Sequence, residues 1–247
     1  AEASEIFLKL LNGEIVNSKN IRKTILTRSN FRSDEDWVRV QEALMKRDSI
    51  SEFPNEIHIP NRYVFEDVKN IPQSWNRDLL DLILGSHDGN LQKEVNKIRP
   101  VKVFNLSITP PEVIEATHDR MTNHYNSNGG NWKRNYMPRT LMIFVNDEPN
   151  LSDAEKTEAA KKEAENSLSS YWGALEGTID PNKVSRAADN SVIGNVEQVA
   201  RQIAERFHSD DCIMTWFDFF NHDSPRVIRN MEAFMKKVVP RVKELTK

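Results

Sequence analysis

From residue 79 onward, short apolar runs alternate with helices that carry their own start signals, and this alternation limits the chain to few folds. Four runs read as buried strands: 79–85, 101–107, 140–146 and 211–217. Each is rich in aliphatic or aromatic residues and flanked by breakers. Thr109-Pro110-Pro111-Glu112 offers an N-cap threonine, a proline at the first helical position and a glutamate that reaches back, ahead of a helix to about residue 125. Ser152-Asp153-Ala154-Glu155 repeats the capping box before a helix to near residue 176, and Asn195-Val196-Glu197-Gln198 does so again. Ser224-Pro225 opens the last helix, where Val227, Ile228, Met231, Phe234, Met235, Val238 and Val239 keep helical spacing. Strands apolar along most of their length, alternating with helices, predict parallel strands covered by helices.

The first 78 residues read differently. A helix from 4 to about 11, a basic linker and a helix from 34 to about 46 precede a loop with Pro54, Pro60 and Pro72. Segments 56–59 and 62–65 have the makings of a small hairpin. The expected organisation is a helix and insertion segment over 1–78 and a parallel βα part over 79–247, together one domain. Four firm strands and two marginal ones fall short of the eight that close a parallel barrel. A lone four-stranded parallel sheet leaves two open edges. The sheet is therefore either open and doubly wound or part of a barrel that something else completes.

Charge narrows the partners. With 34 basic against 37 acidic side chains, the net charge of -3 draws the chain to neither nucleic acid nor an anionic membrane. The run Lys19-Asn20-Ile21-Arg22-Lys23, followed by Arg28 and Arg32, lacks interleaved aromatics and reads as a solvated loop. The single cysteine, Cys212, excludes an intrachain disulfide and reads as a buried, inert thiol in an apolar run. No apolar run approaches the roughly 18 residues of a membrane span, and no secretory signal pattern opens the chain, so a cytoplasmic address is expected. The first residue is Ala1, which reads as a processing or cloning boundary. No His, Cys, Asp and Glu spacing fits a metal site, and no Gly-x-Gly-x-x-Gly or Walker element occurs.

Residues 192 to 242 resemble the carboxy-terminal end of the bacterial-luciferase-like flavin monooxygenases. The carrying elements are Gly194-Asn195-Val196-Glu197-Gln198-Val199 opening a helix, the strand from Ile213 to Phe217, and Val238-Val239-Pro240-Arg241-Val242 in the last helix. Upstream, "RTLMIFVNDEPNLSDAEKTEAAKKEAENSLSSYW" is similar to the family's seventh strand and helix, "VKVFNLSITPPEVIEATHDRMTNHYN" to the sixth, and "LLDLILGSHDGNLQKEVNKI" to the fifth. "EIFLKLLNGE" resembles, more weakly, the family's helix before its long insertion. The resemblance implies an α/β fold: parallel βα units of a TIM (β/α)8 barrel, here a partial barrel with the first strands missing or divergent. It also implies FMN, used in reduced form and supplied by a reductase, and the oxidation of a small organic substrate with O2. A homo- or heterodimer, or a complementary barrel half, is the implied assembly.

In parallel βα arrays the functional face is the carboxyl ends of the strands. The loops there are Gly85-Ser86-His87-Asp88, Asn105-Leu106-Ser107, Asn146-Asp147-Glu148 and Asp218-Phe219-Phe220-Asn221-His222. In the family the fifth strand ends where hydroxyls and backbone N–H groups hold the flavin phosphate; Gly85 and Ser86 match, while His87 and Asp88 depart from the pattern. Free amides at a helix start favour the phosphate, and Asp88 opposes it, reading better as the cap of the helix beginning near Gly89. The candidate cofactor residues are thus Gly85, Ser86, His87, Asn105 and Ser107. His222 is either an acid, base or substrate clamp, or a loop residue ahead of the Ser224 cap. Trp132, Tyr136, Tyr171 and Trp172 read as packing residues. Three functions stay open: an FMN-dependent monooxygenase, a non-catalytic flavin-binding or partner-subunit relative, and a flavin-independent α/β interaction module.

Overall fold

The computed structural model describes residues 1–31, 33–107, 109–176, 181–217 and 222–247. They form two compact units, one of Ala1–Asp81 with Lys93–Pro100 and one of Leu82–Gln92 with Val101–Lys247.

The first unit carries α1 (Glu2–Leu11), β1 (Thr24–Leu26), α2 (Asp34–Asp48) and β2 (Ile57–Ile59). Helix α2 starts where the Ser33 hydroxyl accepts the Asp36 N–H at 3.1 Å. Its acids Asp34, Glu35 and Asp36 sit in the first turn and Lys46 and Arg47 in the last, as the helix dipole favours. Strands β1 and β2 pair antiparallel, Ile25 opposite His58. The expected hairpin of 56–59 with 62–65 is not formed, because each arm has another partner. The Glu2 carboxylate accepts the Arg62 and Tyr63 amides, and the Ser18 hydroxyl both accepts from the Phe65 N–H and donates to its C=O.

The second unit holds β3 (Ile83–Leu84), β4 (Lys102–Val103), α4 (Pro111–His124), β5 (Arg139–Val145), α5 (Asp153–Glu176), α6 (Pro181–Asn190), β6 (Val192–Gly194), α7 (Val196–Arg206), β7 (Ile213–Trp216) and α8 (Ser224–Ala233). Helix α3 (Gly89–Asn96) begins in this unit. After α8 the chain passes through a π-helical segment, Phe234–Val238, into α9 (Val239–Leu245). All strand pairs here are parallel: β3 with β4, β5 with β6 and β5 with β7. A parallel bridge, Asn105 to Arg139, joins β4 to β5.

Strand β5 has its two edges filled in different ways. On one, the Thr140 N–H donates to the Asn105 carbonyl and, further along, the Asn146 N–H donates to the Gly194 carbonyl. On the other, β7 covers residues 139 to 142 and then stops. There Asn230 of α8 takes over: its Oδ1 accepts the Val145 N–H at 3.0 Å, and its Nδ2 donates to the Ile143 carbonyl at 2.7 Å. Arg226 completes this edge by donating to the Val145 carbonyl while paired with Glu163 at 2.6 Å. A side chain thus replaces a strand where buried backbone groups need partners.

Helices cover both faces of β5. Leu141, Ile143 and Val145 pack with Val199, Ala200 and Ile203 of α7 and with Phe234 and Val238, whereas Met142 and Phe144 pack with Ala164 and Leu168 of α5 and Ala187 of α6. This is how an open parallel sheet is buried; the described residues close no barrel. Helix α4 covers β4 through Ile114 and Met121 against Val103 and Met137, with Trp132 packed alongside. At the amino end of β5, Asp211 accepts from Arg134 at 2.6 Å and Arg139 at 3.5 Å. Arg134 also holds Glu115 in two hydrogen bonds.

Several expectations need correction. The 79–85 run pairs only at Ile83–Leu84, because residues Arg77–Leu79 make a 3₁₀ turn and Leu79 stands in solvent. Strand β6 lies in a segment with no strand signal. Helix α4 starts after Pro110 without a side-chain cap, since the Thr109 hydroxyl meets His87 instead. Asp223, not Ser224, caps α8 by accepting the Arg226 N–H. On the last helix Ile228, Met231 and Met235 are exposed, because only the Asn230, Ala233, Phe234 and Val238 side faces β5. Cys212 is exposed rather than buried: it precedes β7, and only its carbonyl is used by the sheet, accepting from Arg139.

Candidate functional site at the ends of β3 and β4

The parallel pairing of β3 with β4 carries the loops that follow them to the same end of the sheet. Phe104 N–H donates to the Leu84 carbonyl at 2.9 Å, one residue before Gly85 on one strand and before Asn105 on the other. Gly85, Ser86, His87, Asn105 and Ser107 therefore follow neighbouring strands. The loops are tied together where His87 Nε2 and the Thr109 hydroxyl lie 3.1 Å apart.

Asp88 sits as the cap of α3. Its Oδ1 accepts the Asn90 N–H at 2.9 Å and the Leu91 N–H at 3.2 Å, while its own N–H donates to the Ser86 hydroxyl at 3.2 Å. Two amides of the helix start are thereby taken by a carboxylate from the chain itself. The positive charge comes from elsewhere. Arg120 of α4 lays its guanidinium over Gly89, so close that a β-carbon there would stand 3.0 Å from Cζ and Nε. Arg120 Nε donates to Gln92 Oε1 at 3.1 Å and Nη2 to the Thr117 hydroxyl at 3.2 Å, and it has no carboxylate partner among the described residues. Gln92, buried outright, donates in turn to the Ser86 carbonyl at 2.7 Å. The loop, the helix start and the arginine thus form one hydrogen-bonded unit. Gly85 has open space around it and needs no glycine on steric grounds.

Asn105 is fully buried, and its Oδ1 has no donor among the described residues, while Nδ2 makes one long contact of 3.5 Å to the Met137 carbonyl. Unmatched buried acceptors are uncommon and cost stability. Ser107 lies two residues beyond, in a turn. His222 belongs to the segment after β7, and β5 separates that strand from β4. It has φ 52°, the left-handed region, which is uncommon for residues other than glycine and recurs at functional positions. The four residues before it, Asp218 to Asn221 of the expected loop, lie outside the described residues. Sequence reasoning missed Arg120 and Gln92. The available signal was an arginine on α4 with no acid three or four residues to either side to pair with it.

Among the described residues, no helix is long and apolar enough to cross a membrane. No group of three His, Cys, Asp or Glu side chains is placed to hold a metal ion.

No protein-family model matches the chain, and no curated protein matches its sequence. Solved structures resemble it in fold. The crystal structure of the monooxygenase RslO1 from Streptomyces bottropensis superposes with a TM-score of 0.53 at 14% identity, over 73% of this chain and 54% of that one. The oxygenating constituent of 3,6-diketocamphane monooxygenase from Pseudomonas putida, a type II Baeyer-Villiger monooxygenase in complex with FMN, superposes with a TM-score of 0.47 at 14% identity, over 87% of this chain and 65% of that one. The chain thus spans about half the length of the first and under two thirds of the second. Its fold is a mixed α/β arrangement of small parallel sheets and helices, similar to that of a monooxygenase.

Proposed function

We propose that this chain is the flavin-binding part of a luciferase-like, FMN-dependent monooxygenase, with the cofactor at the loops after β3 and β4. The observation that carries the reading is Arg120, a guanidinium without a carboxylate partner among the described residues, set over Gly89 at the start of α3. The order of parallel βα units and the fold likeness to a monooxygenase support it. The residues fit an FMN phosphate held by Arg120, the Ser86 hydroxyl and the Gly89 amide. They fit less well a phosphate seated on the next helix amides, which Asp88 already holds. Gly85 and His87 would border the phosphate, Asn105 Oδ1 would accept an N–H of the ring system, and Ser107 would stand beside it. His222 would act on a small organic substrate as acid, base or clamp.

Reduced FMN, delivered by a reductase, supplies the oxygen chemistry; the chain binds, orients and keeps water out. Strands β3 and β7 carry exposed Ile83 and Met214 and have no further strand beyond them among the described residues. Such uncovered edges with exposed apolar side chains would pair with a second copy or a complementary barrel half.

Oxygen uptake with a flavin reductase, NADH and FMN tests the reading. Uptake that rises with this chain and with an organic substrate supports a monooxygenase. Flavin bound without any such rise supports the non-catalytic relative, and no flavin binding leaves an interaction module.

A further inference from the structure

Two buried side chains hold the guanidinium proposed to meet the phosphate. Thr117 and Arg120 stand about one turn apart on α4, and Gln92 comes from α3. Gln92 is 0% exposed and Thr117 1%. The Thr117 hydroxyl donates to the Val113 carbonyl at 2.7 Å, which spends its proton and leaves its lone pairs to accept from Arg120 Nη2 at 3.2 Å. The Gln92 amide is fixed by the same logic. Arg120 Nε can only donate and the Ser86 carbonyl can only accept, so Oε1 faces the arginine at 3.1 Å and Nε2 faces Ser86 at 2.7 Å.

Two of the three guanidinium nitrogens are thereby pinned. The third, Nη1, stands 3.1 Å from the place a β-carbon would take on Gly89, and no described residue accepts from it. A loose arginine has rotamer freedom that a ligand must remove on binding, and one already held in place does not impose that cost. The choice of an amide matters as much as its position. An ionised glutamate at 92 would cancel the arginine's charge and offer no proton to the Ser86 carbonyl, and a leucine would leave both groups without this partner. A neutral side chain with an acceptor beside a donor serves both and keeps the positive charge available. We infer that Gln92, with Thr117 as the second pin, is the positioning residue that aims Arg120 Nη1 at a phosphate over Gly89 and ties the arginine to the Ser86 loop. The inference rests on the flavin reading and adds to it the device that favours the phosphorylated cofactor over riboflavin.

The test is binding of FMN, riboflavin and inorganic phosphate to the full chain, by equilibrium dialysis for the two flavins and by the Arg120 Nε–H signal in ¹H–¹⁵N spectra for phosphate. Gln92→Glu should weaken FMN and phosphate by about tenfold or more, because the new carboxylate pairs with the guanidinium in the ligand's place. Riboflavin affinity should stay unchanged. Thr117→Val should weaken FMN and phosphate in the same selective way, and Thr117→Ser, which keeps the hydroxyl, should bind as the parent does; this pair decides the matter if Gln92→Glu does not fold. FMN and phosphate bound equally well by the parent, Gln92→Glu and Thr117→Val overturn the inference. So does riboflavin affinity falling in step with FMN, since that marks lost structure rather than lost aim. Phosphate bound at Arg120 by a parent that binds no FMN overturns the flavin reading alone, and the phosphate affinities of the same variants then decide the inference. A parent that binds neither overturns both.

Discussion

Replacing Asn230 by leucine tests whether a side chain stands in for a strand along β5. Asn230 is 1% exposed and serves two backbone groups, the Val145 N–H and the Ile143 carbonyl, whose residues are themselves fully buried. Leaving a buried polar group unpaired costs about 1–3 kcal/mol, so two such groups cost about 2–6 kcal/mol. Leucine recovers roughly 1.5 kcal/mol through its buried methyl groups. The net loss is about 3 kcal/mol, and with a urea m-value of about 1–3 kcal/mol/M the midpoint should fall by about 1–3 M. Urea unfolding followed by tryptophan fluorescence measures this. A midpoint within about 0.2 M of the parent refutes the role assigned to Asn230.

Further outcomes follow from other positions. Gly194 has φ 146°, a backbone conformation that side chains rarely adopt, and a β-carbon there would press on the Gln198 side chain, so Gly194→Ala should cost about 1–3 kcal/mol. Gly85→Ala, with open space around it, should change the urea midpoint hardly at all; equal losses in the two variants contradict the geometry. Glu115 is held below the usual carboxylate range by hydrogen bonds from Arg134, against the opposing effect of burial. A lowered folded value stabilises the protein above the unfolded pKa of about 4.3, and that contribution is lost as pH falls through the folded value. Because the side chain is 56% exposed, Glu115→Gln should flatten the acid limb by less than about 1 kcal/mol. Parallel stability curves below pH 5 for the two proteins would count against it.

The parallel βα order was legible because β5 is apolar on both faces and is covered on both, so the run 140–146 shows the continuous hydrophobicity of a doubly buried strand. Strand ends were not legible. Leu79 and Leu80 extend an apolar run past its pairing, and nothing local says that Leu79 will face solvent. Strand β6 has three residues, too few for a periodicity, and exists because Asn146 and Gly194 meet. A hairpin of 56–59 with 62–65 does not form because partners distant in sequence take both arms: β1 pairs with 57–59, and Glu2 and Ser18 hold the backbone of 62, 63 and 65. The same distance hid the site's cation. The Gly85–Asp88 turn could be read directly, and Asp88 caps α3 as its position suggested. Arg120, about 30 residues further on, reaches Gly89 only through the packing of α4. The left-handed backbone of His222 has no signature in its neighbours.

Equilibrium dialysis of FMN and of riboflavin against the protein and its Arg120→Met variant tests the central claim most directly. Saturable FMN binding by the parent, weakened at least tenfold by the substitution while riboflavin binding stays unchanged, is the predicted result. FMN at equal concentration on both sides of the membrane, or bound equally well by the variant, contradicts a phosphate cradle built on Arg120.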